Sequence, residues 1–171
     1  MSKRDLKKYL SSLTKEQTEE QLLELYDKFS EVKKYYDFVF NPKEDKLAGE
    51  AKAKISNEYF PVKTKRAKLR RSVAQKYIKQ FLMLGVDPFA LTDVMLFNIE
   101  VAQKYSAKRE MRYTSFYKSM ANSFEQAVNY AIANGILRDF ESRFVNISAE
   151  AKRQKWENDD FFLRIVNTFT Q

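Results

Sequence analysis

The sequence contains no cysteine and no histidine, and it has only three glycines and three prolines. The missing cysteines exclude disulfide bonds and thiolate nucleophiles, and the missing histidines exclude catalytic triads. A zinc site of the usual cysteine and histidine kind cannot form either. Gly49, Gly85 and Gly135 are too far apart for a glycine-rich phosphate loop. The sequence therefore predicts a protein that is not an enzyme and holds no cofactor.

Long hydrophobic runs are also missing. No run of apolar residues approaches the roughly 18 that cross a bilayer, and the opening MSKRDLKKYL has no apolar stretch of the signal-peptide kind. We therefore expect a cytoplasmic protein that does not contact membranes. Its 171 residues suit one domain. We predict a single helical domain over residues 1–171, with a basic, mobile linker at residues 61–71.

What is present is helical in pattern. Scarce glycine and proline, no β-branched runs and apolar residues at every third or fourth position predict helices throughout. We expect an all-α, irregular bundle of about seven helices, with a short helix-pair solenoid as the alternative. Thr14 and Ser72 each precede a glutamine by three residues, which predicts two capping boxes. Gly85 is expected to end one helix, and the apolar helix that follows Asp87 is expected at the centre of the bundle.

The net charge of +8 is concentrated in one short stretch. Residues 63–80 hold eight basic and no acidic residues, whereas the segments before and after them each contain equal numbers of both signs. Evenly spread charge mainly serves solubility, but a concentrated block creates a local potential that attracts anions. The basic residues of this stretch are Lys63, Lys65, Arg66, Lys68, Arg70, Arg71, Lys76 and Lys79.

We interpret these eight residues as candidate contacts for a polyanion, and the pattern favours RNA or DNA. Guanidinium groups and free backbone amides next to a helix N-terminus suit phosphate oxygens. An acidic protein surface, or a solvated loop without a partner, stays open as an alternative because charge alone is unspecific. No zinc-finger, RNP or leucine-zipper motif accompanies the stretch, so base-specific recognition is not predicted.

Aromatic residues make up 15% of the chain. The densest cluster is YYDFVF, which begins at Tyr35 and Tyr36, and a smaller cluster begins at Tyr113. At helical spacing such side chains usually belong to a core. If Tyr35, Tyr36 and Tyr113 are exposed, they are candidates for a groove that binds a protein partner or a second copy of the chain.

Carboxylates are the remaining route to a metal site. Asp93 and Glu100 lie seven residues apart on one face of the central helix, and two carboxylates on one buried face could bind Mg²⁺ or Mn²⁺. We interpret them instead as a polar stripe that reaches solvent, with Glu100 paired to Lys104 one turn later. No metal site is therefore predicted.

Four stretches also carry a family resemblance, and they are spread over the first two-thirds of the chain: SKRDLKKYLSSL, YYDFVFNP, RRSVAQKYIKQFLMLGVDPF and DVMLFNIEVAQ. Through them the chain resembles an uncharacterised family of bacterial proteins, grouped as a domain of unknown function. The resemblance implies a cytoplasmic bacterial protein and brings no activity, cofactor or catalytic residue.

Taken together, these patterns predict a non-enzymatic helical module that contacts RNA or DNA through residues 63–79. The alternative is a protein-interaction or self-association module that uses an exposed aromatic groove. The two hypotheses differ in salt dependence, because neutralising phosphates makes affinity fall steeply with salt, whereas an apolar interface depends on salt weakly.

Overall fold

The computed structural model describes residues 2–64, 66–109 and 111–170. Over this part of the chain it contains nine α-helices and no β-strand. The all-α prediction is confirmed, with more helices than expected. The chain divides into two compact units, Met1–Pro42 and Lys43–Gln171, each described by itself below. The predicted organisation as one domain stays a prediction.

The first unit contains α1 (Lys3–Leu10), α2 (Lys15–Lys28) and α3 (Ser30–Phe40). The capping box before α2 is confirmed: the Thr14 hydroxyl accepts from the Gln17 amide at 3.2 Å, and the Gln17 side chain accepts from the Thr14 amide at 2.9 Å. The Tyr26 hydroxyl donates to Asp37 at 3.0 Å and joins α2 to α3. No side chain of these three helices is buried, so the unit presents its apolar residues at its surface.

The second unit is an irregular bundle around one helix. It contains α4 (Glu44–Tyr59), α5 (Arg71–Leu84), α6 (Pro88–Ser106), α7 (Thr114–Ala133), α8 (Leu137–Arg153) and α9 (Asp159–Asn167). Helix α6 packs against α4, α5, α7 and α8, while α9 packs against α7 and α8. The prediction that the apolar helix after Asp87 lies at the centre is confirmed, because eleven of its residues are buried. None of the helices in the described part of the chain has the length and apolar character needed to cross a membrane.

Aromatic side chains fill the contact between α7, α8 and α9. The ring of Phe124 lies 5.6 Å from that of Phe144 and 4.9 Å from that of Phe162, measured between centroids, and all three are fully buried. Trp156 closes the same cluster and contacts the ring of Phe162 at 5.6 Å. Offset and edge-to-face rings at these distances stabilise a core beyond their buried area, so this cluster holds the C-terminal half of the bundle together.

The ends of α5 test two of the local predictions. Gly85 ends the helix in the left-handed region at φ 71°, and the Val86 amide donates to the Phe81 carbonyl at 3.1 Å, which confirms the predicted stop. The predicted capping box at Ser72 is wrong. Helix α5 begins two residues earlier than a cap at Ser72 predicts, at Arg71, and no side chain caps it. The reason is a contact of Arg70 with α4, described next.

Candidate nucleic-acid interface

The basic segment, residues 61–70, connects α4 to α5 and is anchored to the end of α4. The Arg70 guanidinium donates to both carboxylate oxygens of Glu58, at 2.9 and 2.8 Å, and the Arg70 amide donates to the same carboxylate at 3.3 Å. The amides of Lys68 and Leu69 donate to the Glu58 carbonyl at 3.0 and 3.1 Å. One residue of α4 therefore accepts five hydrogen bonds from the last three residues of the segment and decides where α5 begins.

The carboxylate of Glu58 is charged although its side chain is buried. The Glu58 side chain is only 8% exposed, and such burial alone would favour a neutral carboxylic acid. The hydrogen bonds from Arg70 outweigh burial and hold the pKa of Glu58 below its ordinary value. The same contact raises the pKa of Arg70. Glu58 is therefore ionised at neutral pH, and its charge is committed to Arg70.

Arg71, the first residue of α5, also binds within the protein. Its guanidinium donates to the Ser123 hydroxyl on α7 at 3.0 Å. The side chain is half-buried, and burial lowers the pKa of Arg71 from its ordinary value. Arg70 thus joins the basic segment to α4, and Arg71 joins the start of α5 to α7, which leaves less of their donor capacity for an outside partner.

Next to this anchor lies a surface concavity of about 400 Å³ between α4 and the basic segment; we call it the basic concavity. Four of its cations form no ion pair with any carboxylate in the described part of the chain: Lys54, Lys63, Arg66 and Lys68. Asn57 and Thr64 add polar groups to the lining, and among the described residues Glu58 is the one acidic side chain in it. The concavity can therefore bind an anion by charge and by hydrogen bonds.

The remaining predicted contacts lie outside the basic concavity. Lys76 and Lys79 are exposed on α5, three residues apart and thus on one side of the helix. Lys65 lies outside the described residues. The structure therefore brings Lys63, Arg66 and Lys68 together with Arg70, and it places Arg71 and the two lysines of α5 on the helix that follows.

A second, shallower concavity lies between α6 and α8 and has a volume of about 900 Å³; we call it the α6–α8 groove. Its lining includes Phe60, Lys104 and Lys108, together with two arginines that already have acidic partners. Arg143 donates to Glu100 at 2.9 and 3.0 Å, and Arg153 donates to Glu150 at 2.7 and 2.6 Å. Lys104 and Lys108 have no ion pair with a described carboxylate.

The carboxylates of Asp93 and Glu100 bind arginine and lysine side chains. Asp93 accepts from Arg143 at 2.7 Å and from Lys52. Glu100 accepts two further hydrogen bonds from the same Arg143 guanidinium, at 2.9 and 3.0 Å. The expected pair of Glu100 with Lys104 is therefore wrong, because α8 brings Arg143 to the same face of α6. Burial alone would raise the pKa of Asp93, but the bonds from Lys52 and Arg143 lower it. The described residues contain no group of three acidic side chains placed to hold a metal ion.

The three candidate groove tyrosines fall in different places. Tyr36 lines a concavity of about 340 Å³ in the first unit, together with side chains of α2 and Phe40. Tyr35 is 43% exposed and contacts the ring of Tyr36 edge-on at 5.4 Å. Tyr113 belongs to the second unit, where it directly precedes α7 and is 69% exposed. The first unit therefore has an apolar concavity, with Tyr36 as the predicted residue that lines it.

Sequence reasoning missed Lys54, Phe60, Lys104 and Lys108. Lys54 lies in a charge-balanced part of the sequence, and it joins the basic concavity because the segment folds back along α4. The two lysines at the end of α6 reach the groove because α8 packs beside them. Each position depends on helix packing, so no local pattern could have identified it.

Comparison with known proteins adds a family but no activity. No curated protein and no solved structure matches the chain. A family model described as a family of unknown function, DUF6155, matches residues 1–170. Because this match covers nearly the whole chain, the protein belongs to the DUF6155 family.

Proposed function

We propose that the protein is a non-enzymatic binding module that contacts RNA or DNA through the basic concavity. The observation that carries this proposal is the convergence, on one recess of about 400 Å³, of four cations that have no ion pair with a described carboxylate. Like charges held close together repel each other, and a polyphosphate relieves that repulsion while releasing its own counterions. A cytoplasmic location, expected from the sequence, and a bacterial source, implied by the family resemblance, belong to this proposal.

The anchor at Glu58 supports the proposal by positioning the segment. Its five hydrogen bonds hold Lys68, Leu69 and Arg70 against α4, so part of the loop is ordered before a ligand binds. A preorganised site loses less conformational entropy on binding than a free loop does. Lys76 and Lys79 extend the positive surface along α5 and offer further phosphate contacts.

The test is fluorescence anisotropy of labelled RNA and DNA oligonucleotides over a salt series. One variant combines Lys54→Gln, Lys63→Gln, Arg66→Gln and Lys68→Gln. A matched control combines Lys118→Gln, Arg138→Gln, Lys152→Gln and Lys155→Gln, which removes the same charge from exposed residues that line neither concavity. We expect the first variant to lose at least about tenfold in affinity near physiological salt and to flatten the salt dependence, while the control loses much less.

Two results would refute this function. The first is no binding of the unmodified protein to any oligonucleotide, single- or double-stranded, at low salt. The second is an equal loss in both variants, which would mean that affinity follows net charge and that the basic concavity is not a site.

A second candidate function, self-association through the first unit, is favoured by its exposed apolar surface. The concavity of α2 and α3 is lined by leucines, tyrosines and Phe40, and Phe40 is 82% exposed. Charge suits a second copy of the chain: α1 holds four basic residues and one acidic, whereas α2 holds two basic and five acidic. The helix α1 of one copy can therefore attract α2 of another.

Light scattering after size-exclusion chromatography tests this candidate. We expect a concentration-dependent dimer that Phe40→Asp converts to monomer. Ile132→Asp, on an exposed position of α7, serves as the control and should leave the dimer intact. A monomer at all concentrations, or equal loss in both variants, would argue against it.

A further inference from the structure

We propose that the ligand is a single strand, and that it runs from the basic concavity across Phe60 into the α6–α8 groove. This inference rests on the proposed function and deepens it. It adds a stacking residue, a second set of phosphate contacts and a preference between nucleic acids, all of which can fail while nucleic-acid binding itself stands.

Two consecutive residues of the chain line different concavities. Pro61 lines the basic concavity and Phe60 lines the α6–α8 groove, and consecutive Cα atoms are only about 3.8 Å apart. A ligand that extends past Pro61 is therefore within reach of Phe60 in the groove lining. Lysines and Arg66 line the basic concavity on one side of this junction, and Lys104 and Lys108 line the groove on the other.

Phe60 has the geometry of a stacking platform. Its ring contacts that of Tyr105 at 5.8 Å between centroids, with an interplanar angle of 68°. Tyr105 is itself only 8% exposed and is held by Arg109, whose guanidinium donates to its hydroxyl at 2.9 Å. The Phe60 side chain is nevertheless 41% exposed. The ring is thus held by a contact with Tyr105 and remains accessible to solvent, and an accessible aromatic ring can stack on a base.

The α6–α8 groove supplies charge on the far side of Phe60. Lys104 is in the last turn of α6, and Lys108 is one turn beyond it, so the two ammonium groups can contact successive phosphates. Glu100 and Glu150 also line the groove, but each is paired with an arginine, which limits their repulsion of a phosphate. Asn146 is exposed in the same lining and offers an amide to a base edge.

This arrangement favours a single strand over a duplex. In a duplex the bases are paired and stacked on each other, so that a side chain outside the helix meets phosphates and groove edges only. An unpaired strand can place phosphates in both concavities and one base on Phe60. A duplex should therefore bind through the basic concavity alone and gain nothing from Phe60.

The decisive experiment compares single-stranded and duplex RNA of the same length, by anisotropy, with the full chain. Phe60→Leu keeps an apolar contact with Tyr105 and removes the stacking surface. Phe89→Leu is the control, because Phe89 is 47% exposed, close to the 41% of Phe60. Phe89 lies at the other end of α6, roughly 22 Å from Lys104 along the helix. We expect Phe60→Leu to weaken single-strand binding about tenfold and to leave duplex binding unchanged. Each of the two variants loses one ring contact at 5.8 Å, so both should lower the melting temperature by a similar amount.

A second variant tests the path without touching Phe60. Lys104→Gln combined with Lys108→Gln should lower the single-strand salt slope by about 1.4, since each phosphate contact of a single strand contributes roughly 0.7. The duplex slope should not change. Equal affinity for both nucleic acids, with no effect of Phe60→Leu, would overturn the single-strand path while leaving the proposed function in place. Failure of the proposed function is recognised separately, by the absence of all binding.

Discussion

The carboxylate of Glu58 and the guanidinium of Arg70 form a two-bonded pair, with donor–acceptor distances of 2.8 and 2.9 Å. This pair closes a loop of eleven residues between the last turn of α4 and the first residue before α5. Leu69, inside the loop, takes a left-handed backbone conformation at φ 55°. For a residue with a side chain that conformation costs about 1 kcal/mol, so the Glu58 contacts compensate for local strain as well as for lost chain entropy.

The first prediction concerns the pH dependence of this anchor. Glu58→Gln should lower the free energy of unfolding by about 1.5 kcal/mol at pH 7, since it removes charged hydrogen bonds to Arg70. Hydrogen bonds from Arg70 hold the pKa of Glu58 below its ordinary value of 4.5 in the folded protein. The contribution is therefore complete above pH 4.5 and is lost as the pH falls through the lower folded pKa.

Urea unfolding of the two proteins between pH 7 and pH 3 measures this effect. The difference between them should stay constant down to about pH 4.5 and then shrink. Glu19→Gln is the control, because Glu19 is 61% exposed and its pair with Lys15 is 3.7 Å long; its effect should stay below about 0.5 kcal/mol. A difference that grows towards acid would contradict the direction of the pKa shift.

The second prediction concerns Arg143, which joins α8 to two carboxylates of α6. Arg143→Met should lower the free energy of unfolding by about 2 kcal/mol, because Asp93 then keeps Lys52 alone of its described partners and Glu100 loses the guanidinium that binds it. Arg143→Lys should recover only part of this, since an ammonium cannot bind both carboxylates through a planar fork. Chemical denaturation checks the order of the three proteins.

Arg138→Met on the same helix is the matched control for Arg143. Its side chain is 88% exposed, and its pair with Glu141 is 3.7 Å long, so the change should cost less than about 0.5 kcal/mol. An Arg143→Met variant as stable as this control would mean that the network is solvent-screened and does not hold α8 to α6.

The third prediction concerns the turn after α8. Lys155 is exposed and adopts φ 54°, and the Trp156 amide next to it donates to the Ala151 carbonyl at 3.0 Å. Lys155→Gly should raise the free energy of unfolding by about 0.5 kcal/mol: the relief of left-handed strain, at least about 1 kcal/mol, exceeds the entropy that glycine adds to the unfolded chain.

Two further variants isolate the backbone effect at Lys155. Lys155→Gln removes the charge but keeps the strained conformation, so its stability should match that of the unmodified protein in thermal unfolding. Gly135→Ala tests the reverse case, because Gly135 has φ 71°, and it should lose about 0.5 to 1 kcal/mol. A gain from Lys155→Gln equal to that from Lys155→Gly would assign the effect to charge.

These cases show which parts of the fold the sequence predicts. The box at Thr14 and the stop at Gly85 depend on residues within five positions of each other, and both are confirmed. The central position of α6 could be predicted because apolar residues lie on nearly every side of this helix. The start of α5 was predicted wrongly because Glu58, twelve residues before Arg70, overrides the local signal at Ser72.

The candidate site likewise has a part that the sequence predicts and a part that it does not. The excess of charge at residues 63–80 is visible in the sequence, and the structure places part of it around one recess. The engagement of Arg70 with Glu58 and of Arg71 with Ser123 could not be foreseen, since the partners lie 12 and 52 residues away. Such pairings depend on how distant parts of the chain pack together, and the local sequence pattern does not predict that packing.

The fourth prediction concerns Thr92 at the centre of the bundle. Its side chain is fully buried on α6, and its hydroxyl has no hydrogen-bond partner among the described residues. A buried hydroxyl without a partner loses its hydration and gains nothing in return. Thr92→Val keeps the branched shape and removes the polar atom, so it should raise the free energy of unfolding by about 1 kcal/mol. Thr18→Val is the control: Thr18 is exposed and donates to the Thr14 carbonyl at 2.9 Å, and no gain is expected there. A loss of stability in Thr92→Val, measured by urea unfolding, would show that the hydroxyl is hydrogen-bonded in solution.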